Sequence, residues 1–257
     1  MADSAESRWW IGGIWAAALA TFAMGAALVA VPGIDLWVAR QFYDPDLGFA
    51  ASHQEPYATV RQALKVPVAL LAAAGAMSLA NRALDGRYLF GLERKAMTFL
   101  VAMAALRPGL LSESVFKSHW GRARPVHLVE LGGTKLYTPP LVIADQCARN
   151  CSFISTEASY GYAFVALAFL QRGARRRRAL SALGLGYGSA VGALRIIQGG
   201  HFLSDIFFSG VFMAALAWLL HRLIVEHDAV ALALARLGLA RFAAGPPRPR
   251  ARPDLGS

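Results

Sequence analysis

The chain of 257 residues is 56% hydrophobic and only 16% charged, with a mean hydropathy of +0.42. That balance excludes an ordinary soluble domain and makes the bilayer the first solvent to consider. A formal net charge of +10 comes from arginines beside apolar segments, with no nucleic-acid fold signature, so it reads as positive-inside topology and not as a nucleic-acid surface.

Trp9 to Val31 carries no charge and, at about 1.5 Å per residue, is long enough to cross a hydrocarbon core of about 30 Å. It reads as a retained span, because a signal peptide would have a shorter apolar core and a small-residue cleavage site. The loop that follows, about Pro32 to Ala58, carries Trp37, Phe42 and Tyr43, residues suited to a membrane interface. Five further spans are predicted near 62–80, 96–113, 157–171, 179–197 and 202–223. Lys65, Arg107, Glu157 and Asp205 stand at or near their ends, where long side chains snorkel and shorter ones line a polar cavity.

Arg82, Arg87, Arg94 and Lys95 lie between spans two and three, and Arg172 with Arg175 to Arg178 between spans four and five. Both loops are assigned to the cytoplasm, and an even number of spans puts both termini there as well. Cys147 and Cys151 then fall in an extracytoplasmic loop, where disulfides persist. They form either a bridge that braces the loop before Glu157 or two free thiols; Cys-x3-Cys alone falls short of the four ligands of structural zinc. After the last span, Ile224 to Phe242 is either a helix on the anionic inner leaflet or a solvated extension. Gly245 to Ser257, dense in Pro and Arg, is predicted to be disordered. The chain therefore divides into an all-α, six-span membrane domain, 1–223, and a cytoplasmic tail, 224–257.

Three segments on the extracytoplasmic side hold polar residues that a lipid-embedded protein avoids unless it uses them. They are Lys117-Ser118-His119-Trp120-Gly121-Arg122-Ala123-Arg124-Pro125, Cys151 to Ser159, and Arg195 to Asp205. This arrangement resembles the type 2 phosphatidic acid phosphatase superfamily, which includes bacterial lipid phosphatases and vanadium haloperoxidases. Its pattern is Lys-x6-Arg-Pro, then Pro-Ser-Gly-His, then Ser-Arg-x5-His-x3-Asp. Lys117, Arg124 and Pro125 satisfy the first element; Arg195, His201 and Asp205 satisfy the third, with Leu194 in place of Ser. The second departs from it, with Ile154, Ser155, Thr156 and Glu157 where Pro, Ser, Gly and His stand in the family.

The chemistry of these residues suits phosphoryl transfer. A phosphate monoester dianion is stabilised by fixed cationic donors, so Lys117, Arg124 and Arg195 form a clamp, the arginines adding planar bidentate forks. With a last helix starting near His201, Asp205 lies one turn on, holds one ring N–H and aims the other nitrogen at phosphorus. The resemblance implies the same roles, His201 as nucleophile and Asp205 as its orienter. Gly199-Gly200 would let the backbone approach the phosphate. Ser155, with Thr156 after it, offers a phosphate donor at the start of span four or a plain helix cap. His119 and His127 fit no part of the pattern and read as loop residues, and Trp120 as an interface anchor.

In the family the residue at the position of Glu157 protonates the leaving oxygen. An ordinary glutamate is almost wholly ionised at neutral pH; a phosphate dianion and desolvation push it toward protonation while three cations oppose them. Without that proton, turnover favours good leaving groups such as an anomeric sugar phosphate or a polyprenyl diphosphate over simple alkyl monoesters. The expected protein is a multi-pass membrane lipid phosphatase of the bacterial inner membrane, with a periplasmic active site and a phosphorylated lipid as its partner. It acts on lipid A or a polyprenyl diphosphate through phospho-His201, with no metal or cofactor, and takes vanadate as an analogue by resemblance. Lipid-to-lipid phosphotransfer and headgroup binding or transport without turnover are the other readings of the same residues.

Overall fold

The computed structural model describes residues 2–52, 54–64, 66–85, 94–106 and 116–236, and is all-helical, with no strand among these residues. The long apolar first segment forms α1 (Ala2–Ala30), and α2 (Gly33–Arg40) follows after a break at Val31-Pro32. The axes of Ala16–Ala30 and Gly33–Arg40 differ by 85°. A proline removes a backbone donor and restricts the residue before it, which explains a sharp turn at this point. Next come α3 (Glu55–Ala63) and α4 (Val66–Asp85), so the stretch Pro32 to Ala58, expected as an outer loop, contains α2 and the start of α3. In α2, Trp37 is 64% exposed, in keeping with an interface role.

Helix α5 (Arg94–Ala105) covers the first part of predicted span three; residues 107–113, with Arg107, lie outside the described residues, as do Lys65 and Arg87. A single turn, α6 (Lys117–His119), opens the long loop that carries the first motif. Predicted span four is broken: α7 (Thr156–Tyr162), a 3₁₀ turn at Ala163–Val165, and α8 (Ala166–Phe169). Then α9 (Ala174–Ile197) and α10 (Leu203–Leu220) run in opposite directions, α10 continuing through a π-turn at His221–Glu226. Of the tail, α11 (Ala229–Arg236) is helical, and 237–257, with the segment predicted to be disordered, lie outside the described residues.

By length and composition, two helices among the described residues suffice to cross a membrane, Ala174–Ile197 and Leu203–Glu226; the bent pair at the N-terminus makes a third if it counts as one. Small residues let these helices meet closely: a Cβ on Gly161 of α7 would lie 2.5 Å from the Cα of Gly188 in α9.

The antiparallel α9–α10 pair gives the molecule two chemically different ends. Arg175 to Arg178 stand at the start of α9. The far end of α10 leads to Asp228, which pairs with Arg94 at 2.9 Å and Lys95 at 3.3 Å. Arg195 and Asp205 stand at the opposite end, where α9 stops and α10 begins. Behind them lies an aromatic cluster of Phe116, Phe153, Phe208 and Phe212. Trp120, expected at the membrane interface, stacks on Phe153 with centroids 5.0 Å apart at the edge of this cluster.

Candidate active site

The three polar segments converge where α9 ends and α10 begins. His201 is fully buried and lies in the short link between them, two residues before the first residue of α10. Its Nδ1 faces Asp205 Oδ2 at 3.6 Å and its Nε2 faces Glu157 Oε2 at 3.7 Å. Neither ring nitrogen makes a hydrogen bond among the described residues. The expectation that His201 would begin the last helix and share its face with Asp205 is thus corrected. Helix α10 starts at Leu203, and Asp205 Oδ2 accepts the backbone N–H of Phe202 at 2.8 Å, a capping contact that satisfies a donor left open at a helix start. The imidazole still lies beside the carboxylate, but across the cap and not along a helix face.

Asp205 is fully enclosed by donors. Besides Phe202 N–H it accepts from the Ser152 hydroxyl and from Arg122 Nη1, each at 2.5 Å. Burial holds the His201 imidazole below the ordinary histidine value; Asp205 and Glu157 pull it upward, while nearby Lys117 and Arg195 reinforce the downward shift. At neutral pH the ring is therefore uncharged, as a nucleophile requires.

The cations surround this ring. Arg195, in the last turn of α9, has its Nε 3.6 Å from Glu157 Oε1, and its Nη1 donates to Gln198 Oε1 at 2.5 Å. A Cβ on Gly200 would lie 2.4 Å from Arg195 Nη2, so glycine here makes room for the guanidinium. At Gly199 the backbone has φ +63°, a conformation that favours glycine. Lys117 is buried, and its Nζ donates to Asn150 Oδ1 at 3.2 Å and Cys151 O at 3.4 Å. Arg124 donates to the same residue, Nε to Asn150 O at 3.0 Å and Nη2 to Asn150 Oδ1 at 2.6 Å. Asn150 is thus a shared shelf for two cations. It lies inside the loop closed by a Cys147–Cys151 disulfide, the bridged alternative of the two expected for these residues.

Ser155 caps α7: its hydroxyl accepts the N–H of Ala158 at 3.2 Å, while Ser159 and Ser209 donate to its carbonyl. Thr156 follows, buried, as the first residue of the helix, and this start sets Glu157 between His201 and Arg195. His119 and His127 are exposed. Partial desolvation lowers the His127 value below the ordinary one, with the nearby charges of Arg124 and Lys135 adding to the shift. No group of three or more His, Cys, Asp or Glu residues among those described is arranged to hold a metal ion.

Sequence reasoning missed Arg122 and Asp35. Arg122 lies between two matched motif residues and was passed over because no spacing rule marks it. Asp35 stands 87 residues earlier, yet its Oδ2 accepts Arg122 Nη2 at 2.8 Å. Burial alone would lower the Arg122 value, but Asp205 and Asp35 on either side more than offset it and hold it above the ordinary one. No signal in the sequence marked Asp35, because an acid in a predicted outer loop is ordinary and its burial is a property of the fold.

Comparison with known proteins agrees with this arrangement. The chain is 41% identical over 132 residues to a lipid A 4'-phosphatase of Francisella tularensis subsp. novicida, a match covering 51% of this chain and 59% of that protein. It is 37% identical over 122 residues to a lipid A 4'-phosphatase of Rhizobium leguminosarum, covering 46% and 50%. A lipid A 4'-phosphatase of Rhizobium etli is 37% identical over 120 residues, covering 46% of each chain. The matched parts thus span about half the length of these relatives. No solved structure matches. The model of the PAP2 superfamily matches residues 95–228, more than half of the chain and all three polar segments. The chain belongs to the PAP2 superfamily.

Proposed function

We propose that this protein is a membrane lipid phosphatase that removes a phosphate from lipid A through a phosphorylated His201. The observation that carries the reading is a buried, neutral imidazole with Asp205 facing one ring nitrogen and Glu157 with Arg195 beside the other. Nδ1 keeps its proton toward Asp205, leaving the Nε2 lone pair to attack phosphorus. The phosphate oxygens lie among Lys117, Arg124 and Arg195, beside the start of α7 that Ser155 caps and Thr156 begins. Attack forms the Nε2–P bond and breaks the P–O bond to the lipid. Water then attacks phosphorus, the N–P bond breaks, and inorganic phosphate leaves.

The relatives' name places the phosphate at a 4' position, a ring alcohol and not an anomeric one. Such an alkoxide leaves poorly without a proton, which revises the expectation of an easy leaving group and makes an acid necessary. Glu157 is that acid in this reading. An arriving dianion competes with it for Arg195 and raises its proton affinity, so the carboxyl takes up a proton as substrate binds. It gives this proton to the leaving oxygen and recovers one from the attacking water. The remaining helices complete a six-span bundle in the bacterial inner membrane, with the site on the periplasmic face and both termini in the cytoplasm. The separation of the arginine-rich end from the His201 end supports this orientation.

The test is phosphate release by the purified full chain from lipid A, undecaprenyl diphosphate and phosphatidic acid side by side, with free phosphate and any phosphorylated acceptor both measured. Lipid A is expected to react fastest, at its 4' position, and His201→Ala to release none. Fastest release from phosphatidic acid, or an undiminished rate in His201→Ala, refutes the reading.

A further inference from the structure

Arg122 is the largest fully buried side chain among the described residues, and all five of its N–H donors are engaged. Nε donates to the Thr138 carbonyl at 2.8 Å. Nη1 donates to Ser204 Oγ at 2.9 Å and Asp205 Oδ1 at 2.5 Å, and Nη2 to Asp35 Oδ2 at 2.8 Å and Tyr137 Oη at 3.2 Å. The guanidinium also lies 4.3 Å from the Phe202 ring centroid. It has no donor left for a phosphate oxygen, so it is not a fourth member of the clamp despite its place between Lys117 and Arg124.

Asp35 is bound as completely. Its Oδ1 accepts the Ser204 N–H at 2.9 Å, and its Oδ2 accepts the hydroxyls of Ser204 at 2.5 Å and Tyr137 at 3.1 Å. A single arginine therefore joins α2 to the start of α10, and its far side grips the carboxylate that faces His201. We propose that Arg122, anchored by Asp35, is a positioning residue for the reaction: it fixes Asp205 in place and in charge beside His201 and never touches the substrate.

Two physical arguments favour this over a purely structural ion pair. Fully buried ion pairs add little net stability against apolar replacements, so stability alone gives weak reason for three buried charges here. The cluster of Asp35, Arg122 and Asp205 also carries one net negative charge beside the ring. That charge is complementary to the imidazolium formed once Nε2 bonds to phosphorus, an interaction stronger in the transition state than before it.

The proposal rests on His201 as nucleophile, and the test separates the two. Full-length Arg122→Met, Arg122→Lys, Asp35→Asn and His201→Ala are assayed on lipid A, with inhibition constants for inorganic phosphate, a ground-state ligand, and orthovanadate, a transition-state analogue. Arg122→Met is expected to lower kcat about 10²-fold while KM and the phosphate constant stay within about threefold, and the vanadate constant to rise in parallel with the loss of kcat. Arg122→Lys keeps the charge without the fork and is expected to recover about tenfold of the loss. Asp35→Asn, which keeps the shape of the anchor, is expected to cost about tenfold in kcat alone. Wild-type kcat in Arg122→Met or in Asp35→Asn overturns the proposal, as does a rise in KM and phosphate constant with kcat preserved. Should neither Arg122 variant fold, folded Asp35→Asn decides by the same kcat criterion. Full activity in His201→Ala would instead remove the nucleophile reading itself, whatever Arg122 does.

Discussion

Gly200→Ala tests the clamp from its most crowded point. The added Cβ would stand 2.4 Å from Arg195 Nη2 and 2.7 Å from its Cζ. Ordinary contact needs about 3.5 Å, so the guanidinium must retreat by about 1 Å. Retreat is opposed on other sides, since Nη1 is held by Gln198 and Nε faces Glu157, and the residue is buried. A displacement of this size at a transition-state donor lowers kcat/KM about 10²-fold, a barrier increase of about 2.7 kcal/mol. The neighbour that yields is the end of a long side chain and not backbone, so the fold is expected to tolerate the change, with Tm lowered by no more than about 3 °C. Phosphate release from lipid A, inhibition by inorganic phosphate and thermal unfolding in detergent together read the effect. If kcat/KM stays within about threefold of wild type in a folded variant, Arg195 is not where the reaction needs it.

Three other outcomes follow from the same geometry. Glu157→Gln removes the transferable proton, so hydrolysis of lipid A is expected to fall about 10²-fold or more while an aryl phosphate with a good leaving group loses far less; equal losses on both would assign Glu157 another role. Cys147→Ser with Cys151→Ser frees the loop bearing Asn150, which receives both Lys117 and Arg124, and is expected to raise KM several-fold, on the order of 1 kcal/mol, with a smaller change in kcat; an unchanged KM rejects the shelf role of that loop. Because burial depresses the His201 value, its imidazole is expected to stay neutral until the pH falls below the ordinary histidine value of about 6.5, and activity to be lost only below that point. NMR titration of labelled protein, with His201→Ala to assign the signal, checks this; a His201 that gains its proton above that value contradicts it.

How far the residues alone led is clearest at particular positions. Lys117, Arg124, Arg195, His201 and Asp205 were legible because their spacing is local and their charge is costly in an apolar chain. The run from Trp9 to Val31 and the helices at the second motif and beyond were legible from hydropathy. The break at Ala163–Val165 was not, since the one glycine nearby, Gly161, sits inside α7, and neither was the helical content of Pro32 to Ala58, a stretch read as the connection between two spans. The bridge at Cys147 and Cys151 stayed open because its spacing permits pairing without requiring it.

Hydropathy and short motif spacings are properties of neighbouring residues, so a helical membrane-type chain with a cationic, histidine-centred site at the end opposite its arginine-rich loops could be read from the order of the residues. Folding in three dimensions is what has Arg122, anchored by Asp35, grip Asp205, lets Asn150 carry two of the cations, and gives Gly200 the task of making space for a third. Those facts depend on through-space distances between segments up to 169 residues apart, as from Asp35 to Ser204. Charge pairing and steric contact act over a few ångströms of space, whatever the length of chain between the partners.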